Sequence, residues 1–354
     1  MEIYVYTPEL VNIGMVDTYQ SFIWNDRYAK PGDFELYTPV TQDLLDWMVK
    51  EYYLSIPESK YTMIVEEREI KTDTEEGPII RIAGRSLESI LDRRIIWAQT
   101  SISGNLQNGV KKLITENLIS PSDSSRAIPN FQFKDSTDTA ITDLTYEAQY
   151  TGDNLLEVIE KICEEKKIGF RVWLDDNGIM QFELYAGIDR SYQQETNPYI
   201  IFSPEYENLI NSSFVEKYDE EKNIALVAGE GQNQQRITRT VGTGTGLERK
   251  ELYVDARDLR QEDGETAQTY YDKLDTRGKE RLNENKVIKE FDAECVTDEQ
   301  FIYGEDFFLG DIVQVENEYG IGACARITEF ITSDERDELK RYPTFEIIEE
   351  EEES

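Results

Sequence analysis

Residues 304–331 read GEDFFLGDIVQVENEYGIGACARITEFI. Ile312, Val313 and Val315 alternate with or abut Gln314 and Glu316, the two-residue period of a half-buried strand. Asn317-Glu318-Tyr319-Gly320 is turn chemistry, with Gly320 free to take positive φ. Ala323, Ala325, Ile327 and Phe330 resume the apolar pattern, so the stretch predicts two strands around a tight turn. Phe307, Phe308 and Leu309 lead into Gly310-Asp311, a loop that launches the first strand.

Short strands are expected at both ends of the chain. Glu2–Tyr6 alternates, and Tyr19–Trp24 and Phe34–Tyr37 are strand-like runs around a hairpin-like connection over residues 25–33. Residues 41–53 predict a helix capped by Thr41, with Leu44, Leu45, Met48 and Val49 on one face. Met63–Glu67 and Ile79–Ala83 predict strands flanking the acidic turn Thr72–Gly77, and Leu87, Ile90 and Leu91 have helical spacing. Further helices are predicted over 107–119 and 154–167, the second capped by Asp153 or Asn154. Residues 120–130 read as a loop and 135–153 as a polar, Thr- and Asp-rich stretch. Gly169–Leu174, the turn Asp175-Asp176-Asn177-Gly178 and Ile179–Tyr185 make a hairpin after the second helix. Beyond 199 the chain is strand-rich, at Tyr199–Phe202, Leu209–Tyr218, Asn223–Glu230, Gln235–Val241, 248–254 and Thr344–Ile348. A long helix covers 265–285, and Glu349–Glu353 forms a disordered acidic tip.

Composition narrows the function. At 354 residues the chain has room for two or three domains, and 39% apolar with 11% aromatic residues builds real cores. The 21 tyrosines suit strands and subunit interfaces alike. Lys and Arg number 37 against 73 Asp and Glu, a net charge of −36. That charge argues against nucleic-acid binding by the outer surface and against docking on anionic lipid. Solubility is its simplest meaning, and an acidic lumen that passes DNA without holding it is another. The N-terminus, MEIYVYTPEL, lacks the basic start and long apolar run of a signal peptide or a membrane span.

Several chemistries lack their residues. The absence of histidine removes Ser-His-Asp and Cys-His arrangements and His-containing zinc sites. Cys163, Cys295 and Cys324 are scattered, without a CxxC pair, and read as buried free thiols of a reducing cytoplasm. Cys163 follows Ile162 on the predicted buried helix face, as a core thiol rather than a nucleophile. Gly242–Gly246, with glycine at every second position, fits neither a P-loop nor the dinucleotide fingerprint and reads as a hairpin tip. The acidic turns Asp175-Asp176-Asn177 and Asp255–Asp258 do not have the spacing of a calcium loop. No pair of acids stands out for glycoside hydrolysis. No catalytic, cofactor-binding or metal-binding residue is therefore assigned, and no cofactor is expected.

Four blocks, in order, resemble a known family. They are the opening YQSFIWNDRYAKPGDFELY (19–37), GRSLESILDRR (84–94), the stretch 201–257 containing NIALVAGEG and GLERKELYVDARDL, and the GDIVQV and ARITE strands of the closing hairpin. Together they resemble the siphophage ReqiPepy-type tail-protein family and, more broadly, phage tail and baseplate hubs. The resemblance spans nearly the whole chain and is thinnest over 100–150. In the third block two hairpins account for the small residues Ala228, Gly229 and Gly231, and Arg249 and Glu251 share a side of their strand.

The resemblance implies a β-rich α+β fold with two tail-tube-like antiparallel β-barrel modules, an inserted α+β domain and a trimeric ring. The first module would span 1–85, the insert 86–198 and the second module 199–348, with an acidic tail at 349–354. It implies a structural, non-enzymatic homotrimer in the virion, assembled in the host cytoplasm. That trimer would close or extend the distal tail tube, adapt six-fold to three-fold symmetry and surround the DNA passage. Its implied partners are the distal tail protein, tail tube, tape-measure and tail-tip or receptor-binding proteins, with no specific nucleic-acid binding and no stable membrane insertion. Hubs that carry wall-degrading or fibre segments do so in a C-terminal extension. With the Glu run ending this sequence, such activity is expected on another polypeptide. The competing reading is a tail-tip protein that binds or hydrolyses cell-wall glycan, with Trp97 or Trp173 as a sugar platform. A related injection particle would share the fold.

Overall fold

The computed structural model describes residues 1–73, 77–231, 236–261, 264, 266–295, 300–335 and 338–348. The centre of the expected acidic turn at 72–77, the first residues of the runs expected at 235–241 and 265–285, and the acidic tail 349–354 lie outside the described residues. Strand makes up 41% and helix 21% of the chain, a β-rich α+β composition. By contacts the chain divides into two compact units, Met1–Ser212 with Asp292–Ser354, and Ser213–Phe291.

The first unit is organised by one eleven-stranded sheet. Its path runs from Ile201–Phe202 through Ile312–Glu316, Gly322–Glu335, Ser21–Arg27, Asp33–Pro39, Gly77–Ser86, Met63–Asp73, Tyr53–Ser55 and Ile3–Tyr6 to Asn12–Val16. The quoted hairpin is present, with Val313 opposite Ala325 and Val315 opposite Ala323. Gly322–Glu335 has three partners, pairing with Ile312–Glu316, then with Ser21–Arg27, and along its other edge with Glu338–Ile347. Strands from the two ends of the sequence thus share one sheet. The path is open, and no closed barrel of the expected kind occurs among the described residues. The physical reason is that Ile201–Phe202 and Asn12–Val16 terminate the path without pairing with each other.

Several local expectations shift under tertiary pairing. The helix expected over 41–53 is only Gln42–Trp47, with the Thr41 hydroxyl accepting from Leu44 N at 3.2 Å. Tyr53–Ser55 is drawn instead into the sheet between Ile3–Tyr6 and Met63–Asp73. Leu87–Arg93 is a 3-10 helix rather than an α-helix. The polar stretch 135–153 holds a strand, Thr145–Tyr150, paired with Thr100–Asn105.

A second core lies beneath the sheet. Leu106–Ile114, continued by a π-turn over Thr115–Ile119, puts Val110, Leu113 and Leu118 into one buried cluster with Leu155, Ile159 and Ile162 of Leu155–Lys166. Asn154 caps that helix through Leu156 N at 2.9 Å. Phe170, Val172, Phe182 and Leu184 of the hairpin Gly169–Leu174 and Met180–Tyr185 complete the cluster, all essentially buried. Burial of this many aliphatic and aromatic side chains, at roughly 1.5–3 kcal/mol each, is the main stabilising term.

The core of the second unit is a three-stranded sheet packed against the helix Ala267–Asn283. Ile224–Ala228 pairs antiparallel with Thr238–Gly242 and parallel with Glu251–Asp255. Tyr270, Leu274 and Gly278 of Ala267–Asn283 are buried on its packed side. Gly278 has no room for a β-carbon, which would meet Val227 and Val241 at 2.8 Å. No helix among the described residues is long and apolar enough to cross a membrane.

Candidate functional site

The sheet strand Ser21–Arg27 alternates, so Phe22, Trp24 and Asp26 face the same interior and are 0%, 1% and 2% exposed. Asp26 is therefore a carboxylate inserted into an apolar face. It accepts from Trp24 Nε1 at 2.8 Å, from the Ser59 hydroxyl at 2.9 Å and from the Tyr303 hydroxyl at 3.3 Å. Burial pushes its pKa up to about 7 against the pull of those donors.

Glu88 is a second such group, fully buried on the 3-10 helix between Leu87 and Ile90. Its Oε1 accepts from Val172 N at 2.7 Å, tying that helix to the hairpin Gly169–Leu174 and Met180–Tyr185. Burial raises it to about 7 as well, with the charge of Asp26 adding to the rise. Tyr61, Tyr185 and Tyr303 lie close by, and burial pushes all three phenols well above the usual tyrosine range. The Tyr303 ring stacks on Phe330 with centroids 3.9 Å apart.

Over this cluster opens a cleft of about 1060 Å³, lined by the segments 57–61, 171–174, 185–188 and 302–311 together with Lys134, Phe330 and Arg341. Three of its four cations lie over rings. Lys134 is 5.0 Å from the Trp173 centroid, Arg171 4.9 Å from Tyr185 and Lys60 5.9 Å from Phe308. Glu183, nearly buried, is held below the usual carboxylate range. Burial alone would raise it, but Lys134 at 2.9 Å and the Arg171 guanidinium reverse the sign.

Asp311, preceded by Gly310, forms part of one wall. Gly310 has φ +89°, and a β-carbon there would meet the Tyr28 ring at 2.2 Å. Asp311, 1% exposed, accepts from Ile188 N at 2.7 Å, Arg190 Nε at 2.8 Å and Phe308 N at 3.1 Å. Arg326 donates to the Gly310 carbonyl at 2.9 Å and lies over Tyr28. Arg27 bridges Asp33 and Glu329, both at 2.6 Å. The motif residues of the opening run and the closing hairpin therefore meet at one junction and hold each other.

The acids singled out in sequence are occupied by local partners. Asp175 accepts from Asn177 N at 2.9 Å and Ile179 N at 3.0 Å, as its turn demands. Asp255 pairs with Arg236 at 2.6 Å, and Asp258 with Arg277 at 3.1 Å. Among the described residues no group of three or more His, Cys, Asp or Glu side chains is placed to hold a metal ion. Arg249 and Glu251, expected on one side of their strand, pair with each other. Cys163, Cys295 and Cys324 are buried and unpaired with one another, and burial pushes the Cys163 thiol far up. Trp97 is 66% exposed with Arg126 over its ring, while Trp173 is half-buried in the cleft wall.

Sequence reasoning did not single out Asp26, Glu88 or the three phenols. Asp26 was visible as the inward position after Phe22 and Trp24, and Glu88 as an acid inside the apolar run 87–91. Their convergence has no local signal.

The model of the family described as Siphovirus ReqiPepy6 Gp37-like protein matches residues 2–345. Among solved structures, the fold is similar to the 43 kDa tail protein of prophage MuSo2 from Shewanella oneidensis, at 10% identity, 98% coverage of both chains and TM-score 0.62. It is similar to the tail protein from Neisseria meningitidis MC58, at 11% identity, 97% and 95% coverage and TM-score 0.57. It is also similar to prophage tail protein gp18 of Listeria monocytogenes EGD-e, at 13% identity, 98% and 94% coverage and TM-score 0.55. Identities this low carry the fold alone. No curated protein matches the sequence.

Proposed function

The chain belongs to the Siphovirus ReqiPepy6 Gp37-like family, and on that premise we propose that it is a structural, non-enzymatic hub of a phage tail tip or baseplate. Three copies would close or extend the distal tail tube, converting its six-fold symmetry to three-fold around the DNA passage. In this reading residues 1–85 and 199–348 supply two tube-like modules per chain, and 86–198 is the insert between them. Its neighbours would be the distal tail, tube, tape-measure and receptor-binding proteins of a virion assembled in the host cytoplasm.

The observation that carries the proposal is a fold similar to a phage tail protein along 98% of the chain. The open sheet adds support. Its last strand, Asn12–Val16, leaves an edge flanked by Val11 and Met15, 57% and 38% exposed, and unpaired edges of this kind call for a covering neighbour. The charge of −36 suits a lumen that passes DNA.

The glycan reading finds less support. Asp26 and Glu88 have raised pKa values, but at 2% and 0% exposure neither can flank a glycosidic bond. The rings of Trp97 and Trp173 each have a cation over one face. Light scattering on a sizing column tests the hub: a species of three times 41.1 kDa is expected, seen as a ring by electron microscopy. A strictly monomeric chain, alone and with tail-tube protein, would overturn it.

A further inference from the structure

We infer that the cleft over Tyr303 is a socket for an acidic segment of a second copy of this chain. The inference rests on the homotrimer reading and deepens it by naming an interface.

Charge sets the problem. Copies carrying −36 each repel, so association needs places where the acids of one copy meet cations of another. The cleft is such a place. Lys60, Lys134, Arg171 and Arg341 come from four separate segments and converge on it. Lys134 and Arg171 share the single carboxylate of Glu183, leaving one positive charge uncompensated. Arg341 is balanced by Glu58 at 3.1 Å. Lys60 is exposed, and its ammonium rests against the Phe308 ring rather than an acid. The Trp173 Nε1 donor has no hydrogen-bond partner in the same wall.

Chemistry then selects the occupant. A sugar platform presents bare ring faces, whereas Trp173, Tyr185 and Phe308 each have a cation over one face. Set against Glu58, Glu183 and Glu305, the four cations leave the cleft one net positive charge on an aromatic bed, which suits a carboxylate. The 73 acidic side chains of a neighbouring copy supply it.

The test is charge reversal at Lys60, whose side chain is outside the buried network. Lys60→Glu should weaken self-association about tenfold or more, shifting the mass from three chains toward one. Lys279→Glu, on the exposed helix of the other unit, changes net charge equally and should leave the mass unchanged. Should Lys60→Glu fail to fold, Lys60→Met keeps the stem. It should weaken assembly and reduce its salt dependence. A Lys60 variant that melts and assembles like the wild type overturns the socket and leaves the trimer standing. Wild-type chains that never assemble overturn both. If Lys60→Glu still assembles but loses binding of an anionic glycan such as polygalacturonate, the cleft belongs to the glycan and the second copy is ruled out.

Discussion

A β-carbon on Gly187 would lie 1.9 Å from the carbonyl carbon of Gly310, so the chain leaving the hairpin that ends at Tyr185 touches the start of the closing hairpin backbone to backbone. Only a missing side chain permits that approach. Gly187→Ala must push one of the two segments away and should cost about 1–3 kcal/mol, the usual range for overpacking. Thermal melting reads this directly. An unchanged midpoint would show that the contact gives way freely.

Asp26 makes stability pH-dependent in an unusual direction. Its folded pKa of about 7 lies above the ordinary value of 3.8, so the folded chain holds the proton more tightly than the unfolded one. Its contribution is fully present below about pH 4 and is lost as pH rises to about 7, at about 1.4 kcal/mol per pH unit. Glu88, raised from 4.5 to about 7, acts with the same sign. Relative to Asp26→Asn, the wild type should therefore lose about 2–3 kcal/mol between pH 5 and pH 7. Parallel pH dependences for the two proteins would refute the assignment.

Asp311 and Arg190 form an ion pair at 2.8 Å with side-chain exposures of 1% and 11%. Removing one partner strands the other and should cost about 3–5 kcal/mol. Asp311→Ala is expected to show this in a denaturant titration, and the double variant Asp311→Ala with Arg190→Met should recover part of the loss. A double variant no better than the single one would point to the lost backbone contacts to Ile188 and Phe308 instead.

The three thiols are buried. An aromatic disulfide reagent should label none of them promptly in the native protein and all three after unfolding. Prompt native labelling of Cys163 would contradict its burial in the helix core.

The legible parts of the fold are those governed by near neighbours. The alternation at Ile312–Glu316, the cap at Asn154 and the Asp175–Gly178 turn depend on residues a few positions away, and each stands as read. The helix expected over 41–53 ran too far because the pairing of Tyr53–Ser55 with Ile3–Tyr6 outweighs a continued helical period. Thr145–Tyr150 was missed because its strand is polar and its partners lie forty to fifty residues away.

The sequence by itself determined the β-rich character, the closing hairpin, the family and the chemistries excluded by a chain without histidine. Only the tertiary structure decided that Ser21–Arg27 lies beside Gly322–Glu335, and that Asp26, Glu88 and Tyr303 gather under one cleft. The reason is physical. Period and turn chemistry act over a few residues, whereas strand partners three hundred positions apart are chosen by which faces can be buried together and which carboxylates find donors there.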